Sequence, residues 1–133
     1  MWRFGKTAQK EAWEEPIDGP IGDIEAAEVI RAICRSAADS AVQVGTPADG
    51  TTTKRHDKNK DERDRTRYQA AARRAMEIAL KISDDLMRDA AVGEIVDLCI
   101  KANDMKTAKI LFRAIQASSI RDIVLTDHPA LQQ

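Results

Sequence analysis

The chain has 133 residues, with 21 lysines and arginines against 22 aspartates and glutamates. This length fits one domain, and a net charge of -1 excludes a chain that coats nucleic acid or forms an acidic tail through its overall charge. Only 4% of the residues are aromatic, whereas alanine fills 21 positions. Because alanine has the highest helix propensity and sheets favour aromatic and β-branched residues, we expect an all-α protein.

Residues 1–20 are expected to form an N-terminal arm, because glycine and proline interrupt its helical patterns. The arm still holds three aromatic anchors, Trp2, Phe4 and Trp13. Such side chains dominate interface energetics, so we expect them to dock onto the chain's own helices or onto a partner or second copy. The start of the chain lacks the apolar run of a secretory signal, and no run is long enough for a membrane span. Both features favour a cytoplasmic protein that binds no membrane.

The following segment, residues 21–43, is predicted to be the first helix, since apolar residues recur at helical spacing and Asp23 suits its N-cap. Residues 44–61 contain turn formers followed by charged residues, which predicts a flexible connector. Residues 62–128 then carry consecutive helical patterns, and residues 129–133 are expected to be a tail.

Start and stop signals divide the helical region. Ser83 is predicted to cap a third helix that continues to about Ala102. Asn103 suits the left-handed residue that closes this helix, and Asp104 suits the cap of the next one. Gly93, in the middle of the third helix, costs about 1 kcal/mol relative to alanine and indicates a close approach of another helix.

A fourth helix is predicted over residues 105–117, and a short last helix follows it. Ser118 or Ser119 is expected to cap the final helix, and Pro129 is expected to stop it because the residue before proline avoids the helical region.

The chain matches itself at an offset of 33 residues, a period typical of stacked pairs of helices that cover one another's apolar faces. The matching pairs are Ala75 and Ala108, Ile82 and Ile115, Arg88 and Arg121, and Asp89 and Asp122.

Within this region the sequence resembles the tetratricopeptide-like helical-repeat family. Ile95, Ala108 and Phe112 stand where that family has its helix A leucine, helix B alanine and helix B aromatic residue, and Asp104 begins helix B as the family's turn does. The resemblance covers residues 73–125, about one and a half repeats. It implies antiparallel helical hairpins, arranged as a bundle or short solenoid, that bind a peptide or a partner helix.

Residues that carry catalytic or metal chemistry are sparse. His56 falls in the predicted connector and His128 near the tail, so neither is expected on the rigid scaffold that catalysis requires. Cys34 and Cys99 lie in apolar helical contexts, which favours buried free thiols over a disulfide. The two histidines and two cysteines lack paired zinc-ligand spacing. We therefore expect no enzyme activity, no cofactor and no metal site.

The segment 54–74 is locally basic, with nine lysines and arginines against four acidic residues. Such a segment could bind nucleic acid or an acidic surface. The alternative is a solvated helix whose interleaved charges form pairs four residues apart, which weakens any stripe that follows phosphates. The candidate contacts are Arg63, Arg65, Arg67, Arg73 and Arg74.

The third and fourth helices carry apolar residues around more than half of their circumference, so some apolar surface is expected to remain for association. The residues chosen for the core or a binding groove are Ile95, Leu98, Phe112 and Ile115. The sequence thus favours a non-enzymatic adaptor or scaffold that binds a protein partner through apolar helical faces and forms a homo-oligomer. The alternatives are nucleic-acid binding through the basic segment and a purely structural, self-assembling subunit.

Overall fold

A computed structural model describes Trp13, residues 21–46 and residues 55–132, with side chains from residue 60 onward in the last range. All regular structure within these residues is helical, which confirms the all-α class. Trp2 and Phe4 lie outside the described residues. The helices are α1 (Asp23–Gly45), α2 (Arg55–Ala79), α3 (Asp85–Lys101), α4 (Met105–Ala114) and α5 (Ser118–Asp127), followed by a 3-10 turn (Pro129–Gln132).

Helix α2 begins at Arg55, earlier than the predicted start at residue 62, so the predicted flexible connector 44–61 is too long. Lys60 pairs with Asp64 one turn later at 3.1 Å, which supports the helix at this point. Ser40 on α1 adds a tertiary bond, donating from Oγ to the Asp64 carboxylate at 3.1 Å. The charged segment is therefore helical and not a flexible connector from residue 55 onward.

The tight turn between α3 and α4 follows its predicted chemistry. Asn103 adopts a left-handed conformation with φ of 57°. The Asp104 carboxylate caps α4 by accepting from the backbone N–H of Thr107 at 3.3 Å. Helix α1 ends at Gly45, two residues beyond its predicted end, and α5 ends before Pro129 as predicted.

The predicted caps of α1 and α3 are wrong. Gly22 takes the N-cap position of α1, and Asp84 caps α3 by accepting from the N–H of Leu86 at 3.2 Å. Asp23 instead reaches across to the start of α3, where its carboxylate accepts from the N–H and Oγ of Ser83 and from the N–H of Asp84 at 2.9 to 3.0 Å. These bonds lower the pKa of Asp23, first through the backbone of Ser83.

The start of α5 has the same kind of long-range cap. Neither Ser118 nor Ser119 caps the helix; Ala117 takes the N-cap position without a side-chain bond. The buried carboxylate of Asp89, on α3, accepts from the N–H groups of Gln116 and Ala117 at 3.1 and 2.8 Å. These bonds hold residues 115–117 out of α4, which ends at Ala114 instead of the predicted residue 117.

Contacts at the helix ends fix the helix directions. The start of α1 meets the start of α3 through Asp23 and Ser83, and Gly45, at the end of α1, lies against the backbone of Lys101 at the end of α3. Helices α1 and α3 therefore run parallel. Helix α2 runs opposite to both, since its early residue Asp64 meets Ser40 near the end of α1.

Helix α3 is the centre of the fold. Helices α1, α2, α4 and α5 all pack against it. Most of its residues from Ala91 to Cys99 are buried, including Gly93, whose absent Cβ would lie 3.4 Å from Val124 on α5. Gly93 therefore lies against α5, at a distance that would also admit the Cβ of alanine. The α1–α2 side of the core is rich in alanine and isoleucine, namely Ala26, Ile30, Ile33, Ala37, Ala41, Ala71, Ala75, Ile78 and Ala79.

The 33-residue match in the sequence reappears as matching hydrogen bonds. Arg88 donates to the carbonyl of Ile82 at 2.9 Å, and Arg121 donates to the carbonyl of Ile115 at 3.3 Å. Helices α3 and α5 begin at equivalent positions, Asp85 and Ser118. The long-range caps on residues 83 and 84 and on residues 116 and 117 also share this offset.

Two glycine-to-alanine substitutions test the helix packing, because one should lower the stability of the fold and the other should raise it. A Cβ at Gly45 would lie 2.2 Å from the carbonyl oxygen of Lys101, so Gly45→Ala forces the ends of α1 and α3 apart and should cost about 1–3 kcal/mol. Gly93→Ala meets only ordinary contacts and should gain up to about 1 kcal/mol from helix propensity. Urea denaturation of both variants measures these changes. Equal effects of the two substitutions would contradict the packing described.

The cap on α5 gives a second test, with a matched control at the equivalent aspartate 33 residues later. Asp89→Ala leaves two backbone N–H groups without their acceptor and should lower the free energy of unfolding by about 1–3 kcal/mol. Asp122 is exposed, so Asp122→Ala should change it by less than about 0.5 kcal/mol. Chemical denaturation of Asp89→Ala, Asp89→Asn and Asp122→Ala checks this, and the amide, which keeps an acceptor, should recover part of the loss. A loss at Asp122 as large as at Asp89 would count against the cap.

Candidate functional site

The four residues predicted for a core or groove lie in the core. Ile95 and Ile115 are completely buried, and Leu98 and Phe112 are 2% and 7% exposed. Four helices around α3 cover most of its apolar residues from Ala91 to Cys99, whereas Leu86 at its start stays 53% exposed. Ile95 and Ile115 thus support the fold, while Leu98 and Phe112 each also contribute to the wall of a surface cavity.

Trp13 is buried against the chain's own helices. The guanidinium of Arg67, on α2, lies 5.0 Å from the centroid of its ring, a cation–π distance. The Nε of Arg67 also donates to Ser40 on α1 at 2.9 Å. Of the two alternatives for the arm, docking onto the chain's own helices or onto a partner, Trp13 shows the first.

The five candidate arginines of α2 do not form one surface. Arg67 is engaged with Trp13 and Ser40, and Arg74 pairs with Glu77 at 3.1 Å. Arg63, Arg65 and Arg73 are exposed. Helical spacing puts Arg63 on the side of Arg67, whereas Arg65 and Arg73 lie on another side. Two of the five arginines are thus committed to internal contacts.

An open groove lies between α2 and α4, and we call it the α2–α4 groove. It encloses a volume of about 260 Å³. Its lining residues are Tyr68, Gln69, Ala72, Arg73 and Met76 from α2, and Asp104, Thr107 and Leu111 from α4. The partly exposed side chains of Ala72, Met76 and Leu111 give it apolar walls.

Exposed apolar side chains extend these walls. Leu80 follows Met76 by one helical turn and is 72% exposed, and Ile110 follows the lining residue Thr107 by about one turn and is 55% exposed. Helical spacing places Leu80 on the side of α2 that carries Met76. Contiguous exposed apolar surface on a folded protein typically marks an interaction site.

A buried hydrogen bond fixes the floor of the groove. Tyr68 Oη donates to the Asp104 carboxylate at 2.7 Å. Burial, together with the nearby Cys99 and Asp104, raises the pKa of Tyr68, so the phenol stays protonated and remains a donor. Burial also acts to raise the pKa of Asp104, but the bonds from Tyr68 and Thr107 outweigh it and lower that pKa. The floor therefore stays polar, bonded and ionised at neutral pH.

Charges on the rim of the groove are positive. Arg73 is exposed, and no carboxylate of the described residues lies within ion-pair distance of it. Lys106, next to the groove on α4, is also exposed. The one acidic residue of the lining, Asp104, is held by Tyr68 and Thr107. A ligand with acidic groups beside apolar ones would complement this rim and these walls.

The sequence does not single out the residues that line this groove. Met76 and Leu111 belong to the broad apolar stripes of their helices, and periodicity cannot separate the part that faces α3 from the part left open. The signal available in the sequence was the width of the stripe, which exceeds what one neighbouring helix covers.

A second cavity, of about 300 Å³, lies between α1 and α3 and contains Cys34, Glu94 and Asp97 among its lining residues. Burial, followed by the charge of Glu94, raises the pKa of the Cys34 thiol to about 12, and burial raises that of Cys99 to about 11. Both cysteines are free, as expected, and both stay protonated near neutral pH. Thiols in this state are poor nucleophiles and poor metal ligands.

His128 is held more firmly than its position near the tail suggests. Its Nε2 lies 2.6 Å from a carboxylate oxygen of Asp97, so α3 orients the ring. The side chain of His56 lies outside the described residues. Among those that are described, no three histidine, cysteine, aspartate or glutamate side chains are close enough to hold a metal ion.

No family model, curated protein or solved structure matches the chain. Within the described part of the chain, no helix has the length and apolarity to cross a membrane.

The floor of the groove gives a test with a defined pH dependence. Tyr68→Phe removes the donor to Asp104 and should cost about 1 kcal/mol at pH 7. Because the folded protein lowers the pKa of Asp104, the stabilisation exists above the unfolded pKa of about 4 and is lost as the pH falls through the folded value. The difference between wild type and variant should thus shrink below about pH 4.

Denaturant unfolding at pH 7 and pH 3 measures that difference. Asp104→Asn in both backgrounds is the matched control, since a neutral partner should make the cost of Tyr68→Phe the same at both pH values. A cost that does not change with pH in the wild-type background would contradict the assigned bond.

Proposed function

We propose that the protein is a non-enzymatic interaction module that binds an amphipathic, acidic segment of a partner protein in the α2–α4 groove. The observation that carries the proposal is the open apolar wall formed by Ala72, Met76 and Leu111 beside the exposed cation of Arg73. An amphipathic helix binds such a groove through its apolar face, and acidic residues at the edge of that face add charge complementarity.

The finer architecture that we propose is tetratricopeptide-like. Helices α1 and α2 form one antiparallel hairpin, α3 and α4 form the next, and α5 begins 33 residues after α3. The matched bonds of Arg88 on α3 and Arg121 on α5 support this offset. In this arrangement α2 and α4 are the second helices of successive hairpins, and the α2–α4 groove lies between them.

Selected peptides test the proposal. Purified protein is used to select binders from a displayed random peptide library, and the selected peptides are expected to be amphipathic and acidic. Arg73→Glu reverses the rim charge and should weaken their binding about tenfold or more. Arg63→Glu is the matched control, because Arg63 is an exposed arginine of the same helix outside the groove, and it should change binding by less than about twofold.

The apolar wall has its own matched pair. Ile110 and Ile123 are similarly exposed, at 55% and 59%, but Ile123 lies on α5, away from the groove. Ile110→Glu should therefore weaken peptide binding much more than Ile123→Glu, as measured by fluorescence anisotropy. Equal loss in both variants, or binding that survives Arg73→Glu, would overturn the proposed site.

Nucleic-acid binding makes a different prediction for the same variants. Counterion release would make affinity for single-stranded or double-stranded DNA fall steeply with salt, and Arg63→Glu and Arg73→Glu would weaken it alike. The exposed acidic residues Asp61 and Glu62 beside Arg63 count against this function.

Self-association is the second candidate that a specific observation favours. Ile24, Leu80 and Leu86 are 69%, 72% and 53% exposed, and they lie at the end of the molecule where α1 and α3 start and α2 stops. A homo-oligomer formed through this end should dissociate in Leu86→Lys, as measured by light scattering. A monomeric wild-type protein at high concentration would exclude it.

A further inference from the structure

A third cavity lies on another side of α4 from the α2–α4 groove, and we call it the α4–α5 pocket. It encloses about 310 Å³, at the lower end of the range for small-molecule sites. Its residues come from α4, α5 and the 3-10 turn: Lys109, Phe112, Arg113, Arg121, Leu125, Leu131 and Gln132.

Three cations surround this pocket and no acidic residue lines it. Among the described residues, no carboxylate lies within ion-pair distance of Lys109, Arg113 or Arg121. The apolar part is formed by Phe112 and Leu131, both largely buried, and by the partly exposed Leu125. The pocket therefore combines uncompensated positive charge with an apolar wall.

Arg121 is fixed in place before any ligand binds. One of its amino groups donates to the carbonyl of Ile115, and its guanidinium lies 5.1 Å from the centroid of the Phe112 ring. A guanidinium has five N–H donors in a planar fork that suits carboxylate groups. Arg121 is also one of the residues that line the pocket.

The equivalent arginine 33 residues earlier, Arg88, has a carboxylate partner within the chain. Arg88 makes the equivalent bond to Ile82, and its other amino group pairs with the carboxylate of Asp85. The residue 33 positions after Asp85 is Ser118, which carries no charge. Arg121 thus stands in the equivalent position without this carboxylate, and a cavity lies beside it.

We infer that the α4–α5 pocket binds a carboxylate carried on an apolar group, with the ligand supplying the anion that Asp85 supplies to Arg88. Arg121 and Arg113 bind the carboxylate, Lys109 adds charge, and the apolar group packs against Phe112, Leu125 and Leu131. A free aryl or alkyl carboxylate and the C-terminal residue of a peptide share this chemistry. The site is separate from the α2–α4 groove and does not depend on its function.

Titration of ¹⁵N-labelled protein followed by NMR tests the pocket. The first probe is N-acetyl-phenylalanine, with N-acetyl-phenylalaninamide as its neutral counterpart. The second is a short peptide that ends in phenylalanine, with a free or an amidated C-terminus. The carboxylate forms of both probes should shift the backbone amide signals of residues 109–113 and 118–125. They should also bind about tenfold more tightly than the amidated forms. Binding of the first probe identifies a small-molecule site, and binding of the peptide alone identifies a peptide terminus.

The most specific test is a substitution that gives Arg121 a carboxylate partner within the chain. Ser118→Asp places a carboxylate three residues before Arg121, as Asp85 stands before Arg88, and should weaken probe binding about tenfold or more. An acidic residue in the first turn suits the helix dipole, so the fold should be retained or stabilised. Ser119→Asp adds the same charge at an exposed neighbouring position that does not face Arg121, and should change binding by less than about twofold.

Three outcomes would overturn the inference. They are equal binding of acid and amide probes, no binding of either carboxylate form, and Ser118→Asp binding as tightly as wild type. Amide spectra and unfolding midpoints of both variants show that any loss of binding reflects the pocket and not the fold.

Discussion

Burial of α3 is the constraint on which the rest of the structure depends. A helix with apolar residues around most of its circumference must be covered on several sides, and α1, α2, α4 and α5 supply that cover. A small residue permits the closest contact, that of Gly45 against the end of α3. Because α2 and α4 both use one face against α3, their remaining faces form an open groove that no described residue fills.

Two carboxylates fix the positions of neighbouring helices relative to each other. Asp23 on α1 fixes the start of α3, and Asp89 on α3 fixes the start of α5, in each case by accepting from two successive backbone N–H groups. The residues just before each helix are thus bonded by a neighbouring helix, and α3 has in addition its own cap, Asp84. This arrangement couples the start of one helix to the position of another, which local capping would not do.

Local features of the fold could be predicted from the sequence, and long-range ones could not. The connection at Asn103 and Asp104 depends on residues that are close in the sequence, so the local residue types were sufficient to predict it. The roles of Asp23 and Asp89 depend on residues 60 and 27 positions away, and no local pattern reveals them. The width of the apolar stripe on α3 was visible, and it indicated several neighbouring helices as well as the exposed Leu86. The uncompensated Arg121 could have been found by comparing Asp85 with Ser118, 33 residues later.

Native-state hydrogen exchange tests whether α3 is the common core of the molecule. We expect the amides of Ile95 to Cys99 to exchange only through global unfolding, with a free energy equal to that from denaturant unfolding, while amides of α5 exchange through smaller openings. Exchange of the α3 amides through local openings, at free energies no higher than those of α5, would contradict this expectation.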